Sequence, residues 1–192
     1  MCGRYELIVG QDQIQAYFSF VKNEFYLESR GEIYPSQKCP IITNEMLIEK
    51  ALWGFKVDFT KQLIINARQE SILEKDLFSR PFEYHRCLIL ASAFFEWDEH
   101  KIKHRIHLKD QDLFVMAGIL SFINQQPRFT MITKDSTKEM KKVHSRVPVI
   151  FNDKEAYDYL NNSKTLSYRM LANNDPDLVI KKDVNHEILT LF

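Results

Sequence analysis

His100-Lys101-Ile102-Lys103-His104-Arg105-Ile106-His107-Leu108-Lys109 alternates strictly along its length. Ile102, His104, Ile106 and Leu108 fall on one face; Lys101, Lys103, Arg105, His107 and Lys109 fall on the other. A period of two marks a half-buried strand, here with a basic outer face. Upstream, Cys87 to Ala91 is a nearly continuous apolar strand followed by Phe94-Phe95-Glu96-Trp97. Downstream, Leu113 to Phe122 and Arg128 to Thr133 read as two more strands joined by a turn around Asn124 to Pro127. Arg4 to Val9, two segments within Ile41 to Val57, and Leu63-Ile64-Ile65 extend the β pattern toward the start of the chain.

Helical spacing is rarer. Gln11 to Phe20 opens a run that places Ile14, Tyr17, Phe18 and Val21 on one stripe, and Ser71 to Phe78 is a second candidate. Lys134 to Lys142 is polar, a loop with a short helix. Asn152 with Glu155 has the form of a capping box, starting a helix that runs through Leu160. Another helix is expected over Lys164 to Ala172, and the tail around Leu178 to Leu191 returns to the sheet. No repeat, linker or low-complexity run divides the 192 residues. The expectation is one α+β domain, residues 1–192, with an antiparallel barrel-like β-sheet core and peripheral helices.

Composition narrows the function classes. An apolar share of 45% with 27% charged residues is that of an ordinary globular protein. No apolar run approaches the ~20 residues of a membrane helix, and no signal pattern opens the chain. Three cysteines, Cys2, Cys39 and Cys87, form neither an even set nor a CxxC pair, so a reducing, cytosolic setting is expected. Net charge is zero, so contact with nucleic acid must come from local clusters.

Several residues carry chemistry. If Met1 is removed, Cys2 presents an amine and a thiol on adjacent carbons. The amine condenses with an aldehyde to a Schiff base, and the thiol closes on the same carbon to a thiazolidine. Glu96, between Phe95 and Trp97, is a carboxyl in apolar surroundings; it is either a general acid with a raised pKa or a strand-end Glu paired with a cation. His144, ahead of the strand Val147-Pro148-Val149-Ile150, is a proton shuttle or a surface-loop histidine. Asn66 and Arg68, with Ala67 between them, share one side in extended geometry, suiting an orienting amide and a phosphate clamp; otherwise Asn66 is a turn residue or helix cap. Trp53 and Phe55 either stack on bases or belong to the core. His100, His104 and His107 invite a metal, but the alternation puts His104 and His107 on opposite faces, and no metal or cofactor is expected.

Taken together these residues resemble the SRAP family, the abasic-site processing proteins first named SOS response-associated peptidases. The likeness lies in Met1-Cys2-Gly3-Arg4-Tyr5, Trp53-Gly54-Phe55, Asn66-Ala67-Arg68 with Glu70, and Arg86-Cys87-Leu88-Ile89. It continues through Ala91-Ser92-Ala93-Phe94-Phe95-Glu96-Trp97, Ala117-Gly118-Ile119 and His144-Ser145-Arg146-Val147-Pro148-Val149-Ile150. The blocks stand in family order. Departures are Glu32-Ile33-Tyr34-Pro35-Ser36-Gln37, which lacks the Asn of the family's Tyr-Asn-x-x-Pro, Val147 in place of Met, and Gln69 and Ala93.

The resemblance implies a monomer that binds single-stranded DNA and crosslinks to abasic sites, shielding them from cleavage. By position, Cys2 is the crosslinking residue, Asn66 the orienting amide, Glu96 the acid/base and His144 the second proton carrier. Arg4, Arg68, Arg146 and Thr133 stand where phosphate ligands would. Trp53, Gly54, Phe55 and Pro40 match segments that hold or splay the strand beside the lesion. Two other readings of the residues stay open. One is an N-terminal-nucleophile hydrolase or self-directed peptidase acting through Cys2, although the Asn-Gly pair of glutamine amidotransferases is missing. The other is a single-strand binding module without chemistry.

Overall fold

The apolar run before Phe94 becomes one of the most enclosed strands of the protein. The computed structural model describes residues 2–8, 16–22, 28–137, 139–173 and 175–183. In chain order its strands are β1 (Arg4–Leu7), β2 (Arg30–Ile33), β3 (Lys38–Thr43), β4 (Ile48–Trp53) and β5 (Asn66–Arg68). They continue with β6 (Arg86–Ala91), β7 (Ala93–Trp97), β8 (Lys103–Leu108), β9 (Phe114–Ile123) and β10 (Gln126–Asp135). β11 (Arg146–Pro148), β12 (Ile150–Phe151) and β13 (Leu178–Lys182) complete them. The described helices are α1 (Asp76–Tyr84), α2 (Met140–Val143), α3 (Asp153–Asn161) and α4 (Lys164–Ala172).

All six residues of β6 are buried, and β6 pairs antiparallel with β3 and β9. β3 pairs with β4, β9 with β10, and β10 returns to β4, closing a five-strand barrel. The last seam is parallel. An odd ring cannot alternate direction all the way round, so one parallel seam is forced on an otherwise antiparallel barrel. The β9–β10 hairpin turns through Asn124 and Gln125, both at positive φ (51° and 62°), as a tight two-residue turn requires.

β4 leaves the barrel at Gly54, and the chain comes back as β5 farther along the same edge of β10. Phe55 and Ile64 exchange backbone hydrogen bonds of 3.0 Å at the neck of this excursion. Gly54 has φ +105°, and a Cβ there would lie 3.0 Å from Leu63 Cβ, so only glycine suits the exit.

A second sheet, in the order β13-β8-β7-β1-β2, is antiparallel throughout. Its inner face buries Tyr5, Leu7, Ile33, Phe94 and Ile106, and the Tyr5 ring meets the Trp53 ring edge-on at 5.1 Å. The sheet therefore lies on the barrel. Its outer face differs from the solvated basic stripe expected of β8. Lys103 is buried, ion-paired with Glu32 of β2 and with Asp183, and its Nζ stands 4.2 Å from the centre of the Phe95 ring. Arg105 bonds Glu6 of β1. Carboxylates from neighbouring strands neutralise the cations, which lets them pack.

The capping box read from sequence holds. Asn152 and Glu155 exchange both bonds of the capping box, and α4 starts at the Ser163 cap. The helix expected over Ser71 to Phe78 is displaced: Gln69–Ser71 is a 3₁₀ turn, and extended Lys75 (φ −97°, ψ 120°) delays α1 to Asp76. Most of the run from Gln11 to Phe20, and the tail past Asp183, lie outside the described residues. Buried Arg86 fastens two helices to the barrel, donating to the carbonyls of Phe82, Tyr159, Leu160 and Asn162 at 2.6–3.2 Å. Those carbonyls belong to helix C-terminal ends, where a cation is favoured.

Candidate active site

The β1–β7 register places Arg4 opposite Phe95 and Tyr5 opposite Phe94, so its continuation sets Gly3 and Cys2 beside Glu96 and Trp97. Glu96 shares the inner face with Phe94 and is almost fully buried. From the barrel side, Asn66 at the start of β5 donates its Nδ2–H to the Cys2 carbonyl at 2.9 Å. The Cys2 thiol lies 3.5 Å from the Arg4 carbonyl oxygen, and the whole residue is buried. Cys2, Asn66 and Glu96 thus meet between barrel and sheet.

Electrostatics follow from this burial. Loss of water pushes Glu96 up to about 7, while the positive amino terminus pulls the other way. Burial also pushes the Cys2 thiol up, and the Glu96 carboxylate adds to the rise. His144 sits in extended backbone between α2 and β11, with its Nδ1 accepting the Arg146 N–H at 3.0 Å. Burial holds the imidazole below its usual range, and the charge of the amino terminus adds to the fall. Glu96 and His144 both feel the beginning of the chain.

A groove of about 820 Å³ opens at Asn66, lined also by Phe59, Ile64, Arg68, Glu70 and Lys75. Arg68 is exposed on it, as a phosphate ligand would be. Arg4 is half-buried beside Glu32, Tyr34 and Trp97. Other expected contact residues lie deeper. Arg146 is buried and committed: it binds both oxygens of Glu70 at 2.9 Å, Asp135 at 2.6 Å and the Thr133 carbonyl at 2.7 Å. Thr133 itself is fully buried between β5 and β11. Trp53, Gly54 and Phe55 are buried too; the Trp53 ring lies between Tyr5 and Phe129, and Phe55 packs on Phe78. Rings held that way support the wall. Pro40 is buried within β3, at a point where β6 has not yet joined and no ladder bond is lost.

Phe59 is a groove residue that no motif in the sequence marks. It is 76% exposed at the groove, a lone aromatic in the polar stretch Lys56-Val57-Asp58-Phe59-Thr60-Lys61-Gln62. A large ring amid polar loop residues was the available signal. The histidines do not converge: His104 Nε2 lies 3.0 Å from Asp98, while His107 Nδ1 lies 2.8 Å from the Leu108 carbonyl. Among the described residues no group of three His, Cys, Asp or Glu side chains could hold a metal ion, and no helix is long and apolar enough to cross a membrane.

A cysteine near the chain start is thus gathered with an amide and a protonatable carboxyl beside a groove, on a closed barrel. The sequence matches the family described as SOS response associated peptidase (SRAP) over residues 1–188, and the chain belongs to that family. The abasic site processing protein YoaM of Bacillus subtilis is 33% identical over 186 residues, covering 86% of this chain and 81% of that protein. The abasic site processing protein HMCES of Xenopus tropicalis is 30% identical over 120 residues, 47% of this chain and 35% of that one. A solved structure from Bordetella bronchiseptica superposes with a TM-score of 0.81 at 20% identity, covering 94% of this chain and 99% of its own. Another from Bacteroides thetaiotaomicron gives 0.78 at 21% identity, covering 95% and 93%. These two show a shared fold.

Proposed function

We propose that this protein captures abasic sites in single-stranded DNA through a covalent bond to Cys2, formed once Met1 is removed. The observation that carries the reading is the meeting of Cys2, Asn66 and Glu96 beside the groove bearing Arg68 and Phe59. The names of the relatives point the same way.

An abasic sugar is mostly a closed hemiacetal, and only the open form is an aldehyde. Glu96, with a pKa of about 7, exists in both protonation states near neutrality and can protonate the ring oxygen or accept the hydroxyl proton. While Met1 is attached the Cys2 nitrogen is an amide; its removal leaves an amine with an ordinary pKa of about 7.7–8.0. Asn66 Oδ1 has no hydrogen-bond donor among the described residues, which leaves it to orient that amine. Nitrogen attacks the aldehyde carbon, and the carbinolamine loses water through Glu96 or His144. The thiol, kept protonated by burial, then adds across the C=N bond, sulfur to carbon and proton to nitrogen. Where the thiol fails to close, the imine acidifies the C2′ proton, and β-elimination cuts the strand, a lyase side reaction. Met1 removal by the same site, with Cys2 as nucleophile, is the peptidase counterpart. Acting on DNA, the protein belongs in the cytoplasm with the nucleoid.

The test is intact mass after mixing with an abasic single-stranded oligonucleotide. The expected product is Met1-free protein plus oligonucleotide less one water, stable on a denaturing gel. No such adduct from the native chain, or an equally stable one from Cys2→Ser, overturns the reading.

A further inference from the structure

The outer face of the sheet holds an arrangement that the crosslinking chemistry leaves unused. Arg4 lies between two rings, its guanidinium carbon 4.3 Å from the centre of Tyr34 and 5.0 Å from that of Trp97. Its Nη1 reaches Glu32 Oε2 at 3.2 Å, and Tyr34 OH donates to the same oxygen at 3.4 Å. The other Glu32 oxygen pairs with Lys103, whose side chain is only 3% exposed and which also binds Asp183 Oδ2 at 2.9 Å. Buried Lys103 therefore holds the Glu32 carboxylate in place, and two aromatic faces hold Arg4 against it.

The Arg4–Glu32 contact is the weak kind. It is single, longer than the 2.7–2.9 Å usual for charge-assisted bonds, and lies between side chains 27% and 26% exposed. Arg146, by contrast, grips Glu70 through two bonds of 2.9 Å. A guanidinium has five N–H donors, and this contact takes one. An incoming phosphate can engage the rest, but it must then sit beside a fixed negative charge.

We infer that Glu32 sets how tightly the protein holds DNA, as a resident carboxylate competing with a strand phosphate for Arg4. The inference rests on the reading of the site as a DNA-binding one. Its consequence is a light grip on undamaged strands, leaving retention to the covalent step.

Noncovalent binding to an undamaged single-stranded oligonucleotide tests this apart from the crosslinking chemistry. Glu32→Gln keeps the size and an acceptor, and Asp183 still partners Lys103. The variant is expected to bind about twofold to fivefold more tightly, the worth of one exposed ion pair. Its affinity should also fall more steeply with salt, by up to about 0.7 in the log–log slope. With Arg4→Gln also present the gain should vanish. Equal or weaker binding by Glu32→Gln, a gain that survives in the double variant, or no binding by any form overturns the inference. Loss of the abasic adduct with these binding results intact would instead overturn the crosslinking reading alone.

Discussion

The Asn66 amide donates to the Cys2 carbonyl across 2.9 Å, joining the barrel to the first residues of the chain. It is a link between residues 64 positions apart. Asn66→Ala should lower the rate of adduct formation about fivefold to tenfold, the loss of one hydrogen bond worth about 1–1.5 kcal/mol. Single-turnover kinetics on an abasic oligonucleotide measure this, and an unchanged rate would mean the amide does not orient the nucleophile.

Glu96 makes opposite demands on stability and chemistry. Burial raises its folded pKa to about 7, from an ordinary 4.5. A raised folded pKa gives stability that is complete below the unfolded value and lost as pH climbs through the folded one. Glu96→Gln should therefore be more stable than the native protein at pH 8, by up to about 3 kcal/mol, with the difference fading below pH 5. The same variant should form adduct far more slowly. Thermal melts at the two pH values check the first statement, gel assays the second.

Exposure separates two aromatics. Phe59 is 76% exposed, so Phe59→Ala should leave the melting temperature almost unchanged while weakening single-strand binding by about 1–3 kcal/mol. Trp53 is fully buried, and Trp53→Ala should cost about 3–5 kcal/mol of stability. Equal stability of the two variants would contradict this assignment.

Arg68 and Arg146 divide in the same manner. Arg68→Ala should reduce the salt slope of DNA binding by about 0.7 with no change in melting temperature. Arg146→Ala removes the bonds to Glu70, Asp135 and Thr133 that tie β11 to its neighbours, so its first effect should be a lower melting temperature.

Local patterns carried much of the fold. Apolar runs marked β6 and the β9–β10 hairpin, the Asn152–Glu155 capping box gave α3 because caps act within a few residues, and the helix expected over Lys164–Ala172 is α4. The parallel seam of the barrel was invisible, since it follows from ring closure between distant strands. In the site, Cys2, Asn66 and Glu96 could be picked out by chemistry and family likeness. The fates of Arg4, Lys103 and Arg146 could not, because Glu32, Asp183 and Glu70 stand far from them in sequence. Trp53 and Phe59 show the limit most plainly: the aromatic in the conspicuous motif went inside, and the inconspicuous one came out.

Residues 56–63 hang from a pinch between Phe55 and Ile64, while β10 is bordered by β4 on one side of that pinch and by β5 on the other. The wall is thus continuous without the piece that bears Phe59. Such a segment can change in length or sequence without breaking the barrel wall, so the rim of this groove can drift over evolutionary time while the strands beside it stay fixed.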